Sequence, residues 1–419
     1  WSEEKPENIH EGVVLPGVQE ATWTYDEAAQ AWYMHRFYKH QADLNIANPE
    51  VREEIERVMG FWLQLGVSGF RLDAVPFLIE HRGLPPSEKP DRDPHAYLGD
   101  LRRFLSWRRA QAAFLAEANI AMDEVDEYFG PGGDRLHMIF NFMLNQHLFL
   151  GFARGDAEPI RRVLKSSPPL PPTAQWASFL RNHDELDLGR LTEAERQEVF
   201  AVFGPAPDMQ AYGRGLRRRL APMLDGDMRR LKLVFSLMFA LPGTPVIWNG
   251  DEIGMGEDLA LPERNSVRTP LQWADEPNAG FSTADPERLV RPVIAQGPFN
   301  FHVVNVADQR DREGSLMDDL QRLVRTRRAC PEVGWGEAQV LETGATNVLA
   351  LRYDWRGETI VILHNVSEKA VEVSPRLDGL ARLRPLFCNG QDRAMRDANK
   401  PIALDAFGYR WFRAEGERR

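Results

Sequence analysis

Three acidic residues follow directly on short apolar runs, and each is of a type that can move a proton or face a developing positive charge. The first closes Gly69-Phe70-Arg71-Leu72-Asp73-Ala74. Alternate residues of a strand share a face, which puts Gly69, Arg71 and Asp73 together. Charge on an otherwise buried strand is costly unless it is paired or used. Arg71 beside Asp73 would hold that carboxylate ionised, as a nucleophile requires; the same pair would also serve as a structural ion pair. The second is Glu117 in Phe114-Leu115-Ala116-Glu117-Ala118-Asn119. Desolvation at a strand end favours the protonated carboxyl and suits a general acid, whereas a solvated or helix-capping glutamate needs no function. The third lies in Phe179-Leu180-Arg181-Asn182-His183-Asp184-Glu185, where His183 and Asp184 could grip sugar hydroxyls or a metal, or form an Asx-capped turn.

Together the three say more than each alone. Catalytic residues of (β/α) barrels sit at the carboxyl ends of several strands. Two carboxylates flanking one bond, one ionised and one protonated, are what cleavage of a glycosidic linkage needs. A third could stabilise positive charge or hold hydroxyls.

The surrounding pattern supplies the elements to position them. Asn48 before Pro49 reads as an N-cap and first helical residue. Val51, Ile55, Val58, Met59, Trp62 and Leu63 follow at helical spacing, and Gly66 supplies the stop. Val67 to Ala74 then reads as a buried strand. The alternation continues with a helix near Pro94 to Ala110, strands at Ala112 to Ala116 and Trp176 to Leu180, a helix at Met228 to Ala240 and a strand at Thr244 to Trp248. Helices alternating with short apolar strands predict a parallel sheet with crossover helices. Residues 190–226 read as a charged, Arg-rich helical insertion. From about Glu337 the period becomes two, which predicts a small antiparallel β domain.

Composition narrows the partners. The chain has 419 residues, 51 Lys and Arg against 62 Asp and Glu, and a net charge of −11. That balance argues against nucleic acid or an anionic membrane surface and suits a neutral small-molecule ligand. No apolar run approaches the length that spans a bilayer. Two cysteines, Cys330 and Cys388, read as free thiols in a reducing, cytoplasmic setting.

The order GFRLDAV, FLAEAN, FLRNHDEL, GTPVIWNGDEIGM, over residues 41–256 with the segment Gln41-Ala42-Asp43-Leu44-Asn45, resembles the α-amylase family of glycoside hydrolases. The resemblance implies Asp73 as nucleophile, Glu117 as acid/base and Asp184 as transition-state stabiliser. It implies Arg71, His183, Glu185 and Arg268 as substrate-binding residues. Gln41 to Asn45 is similar to the QPDLN motif of the oligoglucosidase and trehalose-synthase branch, with Ala42 where proline is usual. Pro262 to Trp273, Ala279-Gly280-Phe281-Ser282, Leu144-Asn145-Gln146-His147 and Gly408-Tyr409-Arg410-Trp411-Phe412 point the same way. Asn249 departs from the family's usual aromatic residue.

The implied fold is α/β, a (β/α)8 TIM barrel followed by a C-terminal antiparallel β-sandwich domain. The family's first motif, D-x-V-x-N-H, is not found, and the 40 residues ahead of Gln41 leave no room for three barrel strands. The expected organisation is therefore the end of the barrel insertion at 1–44, barrel strands 4 to 8 at 45–335 with the N-terminal strands absent from this chain, and the β domain at 336–419. No cofactor is expected for catalysis. The family pattern implies a structural calcium held by Phe77, Leu78 and Glu80, and is compatible with a homo-oligomer. The expected activity is that of a retaining α-glucosyl enzyme isomerising maltose to trehalose, with hydrolysis of short α-glucans or sugar binding without turnover as alternatives.

Overall fold

The computed structural model describes residues 1–79, 93–389 and 394–416. The chain divides into two units, residues 1–140 with 168–175, and residues 141–167 with 176–419.

In the first unit, β1 (Trp23–Asp26) and β2 (Ala31–Met34) form an antiparallel hairpin in which Trp23 faces Met34. The helix α1 (Pro49–Gln64) starts as its sequence dictates: Asn48 Oδ1 accepts the Glu50 N–H at 2.9 Å and Pro49 fills the first turn. Gly66, at φ +100°, ends it, its N–H donating to the Leu63 carbonyl. Then come β3 (Gly69–Leu72), the single turn α2 (Val75–Leu78), α3 (Ala96–Arg108), β4 (Ala113–Ala116), α4 (Val125–Phe129) and β5 (Met138–Phe140). Strands β3, β4 and β5 are parallel, with Gly69 opposite Ala113 and Leu115 opposite Met138. Leu98, Leu101 and Leu105 of α3 are buried, as are Phe114, Phe129 and Ile139.

Two expectations change here. The strand predicted as buried over Val67 to Ala74 is four residues long and only partly covered, with Arg71 exposed. Its physical reason is its place at the sheet's edge, with β4 as its neighbour. Of the apolar set on α1 only Met59 and Leu63 are buried; Val51 and Ile55 are half-buried, and Val58 and Trp62 are exposed. Strand β5 was not named from the sequence at all.

The second unit opens with α5 (Phe142–Arg154) and α6 (Glu158–Ser166), then β6 (Gln175–Phe179) and β7 (Leu186–Asp187). The region predicted as a helical insertion holds α7 (Glu193–Phe203), capped by Thr192 with Glu195 in a capping box. Beyond it lie β8 (Gln210–Ala211), β9 (Gly215–Leu216) and the short α8 (Leu220–Met223), so its Arg-rich part is not a continuous helix. Strands β7, β9 and β8 make a small antiparallel sheet. Helix α9 (Met228–Ala240) leads into β10 (Thr244–Val246), which pairs parallel with β6, Thr244 opposite Ala177.

The rest of this unit is the β-rich C-terminal domain, with β11 (Glu337–Leu341), β12 (Val348–Trp355), β13 (Glu358–Asn365), β14 (Val371–Val373), β15 (Leu380–Cys388), β16 (Arg396–Asp397), β17 (Ile402–Leu404) and β18 (Tyr409–Gly416). Six of them form an antiparallel sheet in the order β11-β12-β13-β18-β15-β16, and β14 pairs with β17. Val361, Leu363 and Phe412 of the larger sheet share a core with Val373, Ile402 and Leu404 of the smaller. A buried polar staple ties α9 to this sheet: Ser236 Oγ meets His364 Nε2 at 2.9 Å and accepts Trp411 Nε1–H at 2.9 Å. Among the described residues no helix is long and apolar enough to cross a membrane. Cys330 is a buried thiol outside any disulfide.

Candidate active site

The first unit sets two carboxylates on adjacent parallel strands. At the start of β3 the backbone runs so close to β4 that a Cβ on residue 69 would lie 2.1 Å from the Ala113 carbonyl oxygen, so only glycine fits. At the other end, Glu117 N–H donates to Leu72 O at 2.9 Å and Val75 N–H donates to Glu117 O at 3.0 Å. Asp73 and Ala74 are spanned by these two bonds. Ala74 takes a left-handed conformation, φ +44° and ψ +47°, which turns the chain from strand into α2 at once. An alanine there costs on the order of 1–2 kcal/mol relative to an ordinary conformation. The Asp73 side chain is left 71 % exposed. Arg71 Nη1 donates to Asp73 Oδ1 at 2.5 Å, and its Nη2 donates to Glu117 Oε2. The period-two expectation for Arg71 and Asp73 is thus met, and one guanidinium joins both carboxylates.

The second unit sets the His183-Asp184-Glu185 segment at the end of β6. Asn145 on α5 donates from Nδ2 to the carbonyls of Phe179 and Leu180, at 2.8 and 3.0 Å, and fixes where the strand stops. Asn182 Oδ1 accepts the Asp184 N–H at 2.9 Å, the Asx turn expected there. Asp184 Oδ1 accepts from Arg268 Nη2 at 2.5 Å and lies 3.2 Å from Arg264 Nη1. Arg268 also donates from Nε to the His183 carbonyl at 2.7 Å, so it grips the backbone and the carboxylate together. His183 Nε2 is 3.5 Å from Asp184 Oδ2, and its ring lies 5.9 Å from that of Trp248.

Glu185 behaves differently from the expectation that it contacts substrate. It is 5 % exposed, and its carboxylate accepts from Arg264 Nε at 2.7 Å and Arg214 Nη2 at 3.4 Å. A buried carboxylate so engaged acts by holding arginines in place. Burial disfavours the charge of Arg264, but Glu185 and Asp184 outweigh it and push that guanidinium above its ordinary range.

Sequence reasoning missed the layer beneath. Arg181, wholly buried, donates from Nη2 to the Asp184 carbonyl at 2.6 Å and from Nε to the Arg218 carbonyl at 2.7 Å. Arg219 and Asp251 are also wholly buried, with Arg219 Nε 3.4 Å from Asp251 Oδ1. Arginine reads as surface in a sequence; the only signal was the position of these residues beside strand-end motifs. Of the calcium donors implied earlier, Phe77 and Leu78 close α2 and Glu80 lies outside the described residues. Two carbonyls of a one-turn helix fall short of the roughly 6–8 oxygens calcium takes. Among the described residues no three His, Cys, Asp or Glu side chains gather to hold a metal. The residues present do not by themselves fit the ion.

Comparison with known proteins adds to this geometry. Residues 2–202 and 217–336 match the model of the α-amylase catalytic domain, and residues 357–413 that of the sucrose hydrolase-like C-terminal domain. The trehalose synthase/amylase of Mycobacterium tuberculosis (strain ATCC 25618 / H37Rv) is 37 % identical over 422 residues, covering 98 % of this chain and 69 % of its own length. The trehalose synthase of Thermus thermophilus is 40 % identical over 369 residues, 88 % of this chain and 38 % of its own. The crystal structure of an α-amylase from H. orenii superposes with a TM-score of 0.73 at 20 % identity, over 99 % of this chain and 74 % of that one. The fold shared is that of the α-amylase catalytic domain, a (β/α)8 barrel of which this chain shows five parallel strands among the described residues, followed by a β-rich C-terminal domain of antiparallel sheets.

Proposed function

This chain belongs to the α-amylase family, and from that premise we propose that it is a retaining α-glucosyl enzyme converting maltose to trehalose. The observation that carries the chemistry is the guanidinium of Arg71 shared by Asp73 and Glu117. Two carboxylates within reach of one fork suit the closer separation, about 5–5.5 Å, of enzymes that retain configuration. In the reaction Asp73 attacks the anomeric carbon of the non-reducing glucose as the bond to the leaving oxygen breaks. Glu117 gives its proton to that oxygen. A covalent glucosyl-aspartate and free glucose result. The glucose then turns and attacks through its 1-hydroxyl; Glu117 takes the proton back, the bond to Asp73 breaks and trehalose forms. The family resemblance gives Asp184, held by two arginines, the role of stabilising the positive charge that develops on the sugar, and His183 and Arg268 the role of binding that sugar.

Water attacking the same intermediate would give two glucoses. Such hydrolysis is the second reading, favoured by the double name, trehalose synthase/amylase, of the mycobacterial relative. Which outcome prevails depends on how well the site excludes water. Maltose, trehalose and short α-glucans are the proposed small-molecule partners, and the buried Cys330 thiol fits a reducing, cytoplasmic setting. The test is to supply maltose and follow anomeric proton signals by NMR. Trehalose appearing ahead of glucose supports isomerisation, glucose alone supports hydrolysis, and no turnover from folded protein sinks both. Asp73→Asn should abolish turnover with the fold intact.

A further inference from the structure

Beneath the His183–Asp184 segment lie three wholly buried ionisable groups that the reaction as drawn does not use: Arg181, Arg219 and Asp251. Burying two arginines is expensive, and charge of that kind persists only where something specific holds it. Two arms run from Asp251 to the site. One is through Arg181, which feels the charge of Asp251 without touching it and whose Nη2 donates to the Asp184 carbonyl at 2.6 Å. The other passes through Arg219, 3.4 Å from Asp251, whose guanidinium lies 5.8 Å from the Trp248 ring; that ring in turn packs against His183 at 5.9 Å. Gly250, at φ +91°, has no space for a side chain: a Cβ there would fall 2.8 Å from Arg219 Nη1 and 2.5 Å from Met255 Sδ. The backbone beside Asp251 is therefore shaped around the guanidinium. Asp251 Oδ1, Arg181 Nη1 and Arg219 Nε are buried without hydrogen-bond partners, so Asp251 acts on both arginines through charge, at 3.4 Å on Arg219, while Arg219 Nη2 also donates to the Asn249 carbonyl.

We propose that Asp251 is a positioning residue for the reaction, its carboxylate holding Arg181 and Arg219 so that Asp184 and His183 stay where the charge develops on the sugar. The inference rests on the role given to Asp184 above. The charged groups acting on Asp251 are Arg219 and Arg181, which favour its ionised form, and Glu252 and Glu257, which oppose it. Burial is the largest influence and pushes the Asp251 carboxyl up to about 6. As pH falls through that value the carboxyl takes a proton, the two arginines lose their counter-charge, and kcat falls.

The test is Asp251→Asn, which keeps shape and removes charge. At neutral pH kcat should fall about 10- to 100-fold with KM little changed, because the lost hold concerns the transition state. The acid limb of kcat near pH 6 should vanish from the profile, and Asp251→Glu should restore it in part. A merely structural role would lower Tm and leave the limb in place; that result in folded Asp251→Asn overturns the proposal. Should this variant fail to fold, Arg219→Lys is the second: Asp251 still titrates there, and with its closest counter-charge weakened the acid limb should move to higher pH, an unmoved limb overturning the proposal. Carboxyl-carbon NMR of Asp-labelled protein gives a reading independent of turnover. A carboxyl titrating near 6, absent from Asp251→Asn, together with a matching pH-dependent shift of the His183 ring signals, supports the proposal even if no α-glucoside is turned over, in which case only the assigned reaction falls. No such carboxyl in the wild-type protein overturns it.

Discussion

Replacing Gly69 by alanine tests whether the spacing of β3 and β4 sets the geometry of the two carboxylates. The added methyl would sit 2.1 Å from the Ala113 oxygen, while real Cβ contacts stay above 3.0 Å, so the strands must part by 3.0 − 2.1 = 0.9 Å. The Ala113 N–H to Ser68 O bond, now 3.1 Å, would lengthen to near 4 Å, beyond hydrogen-bond range. Overpacking costs about 1–3 kcal/mol, and one lost backbone bond adds about 1 kcal/mol. A loss of roughly 2–4 kcal/mol follows, a Tm lower by about 2–5 °C for a chain of this size. The functional effect should be larger in proportion. Arg71 stands on β3 and Glu117 just beyond β4, so parting the strands stretches the bridge between them. A misplacement of about 1 Å at reacting groups costs on the order of 100-fold in rate. Calorimetry and kcat on maltose measure the two effects in one preparation. Unchanged stability would refute the steric reasoning. Lowered stability with unchanged kcat would refute the link from strand spacing to the carboxylates.

Arg71→Lys should lower kcat about 10-fold, since an ammonium cannot fork to both carboxylates; the expected loss is about 1–1.5 kcal/mol after discounting for the exposed side chains, and kcat within twofold of wild type would sink it. Glu185→Gln removes the 2.7 Å carboxylate partner of Arg264, which keeps Asp184 at 3.2 Å as Arg214 keeps Asp187 at 3.6 Å, and should cost about 1.5–3 kcal/mol of stability, read by denaturant unfolding; a cost below 1 kcal/mol contradicts the placement. Ala74→Gly relieves the left-handed strain and should leave Tm equal or slightly raised, by the equivalent of up to about 1 kcal/mol; a clear fall in Tm would show that the alanine methyl matters to packing.

What the sequence made legible is what local signals encode. Asn48-Pro49 and Gly66 bracket α1 because a cap, a proline and a left-handed glycine act within a few residues. Met228 to Ala240 was placed to the residue because Asp227 caps it and Pro242-Gly243 follows. The strand-end acids were visible because a carboxylate closing an apolar run is unusual. Other features depend on distant partners. Strand β5 is three residues long and too short for a period to show. The β7–β9–β8 sheet is built of two-residue strands, and its arginines suggested a solvated helix. Nothing in the local sequence says that Arg181 and Arg219 are buried, that Glu185 turns inward to Arg264, or that half of α1's apolar face stays exposed.

Sharing Arg71 between Asp73 and Glu117 also sets a charge balance that depends on one proton: with Glu117 carrying the proton it gives in the reaction the three side chains cancel, and once Glu117 has lost it to solvent they carry one negative charge in excess. A neutral disaccharide is indifferent to it. A sugar phosphate, bringing about −1.5 to −2 charges, is repelled, and a protonated amine in a sugar-like ring is drawn in. In that deprotonated state the same three side chains would discriminate among ligands by charge, turning away phosphorylated glucosides and retaining cationic sugar mimics as competitors.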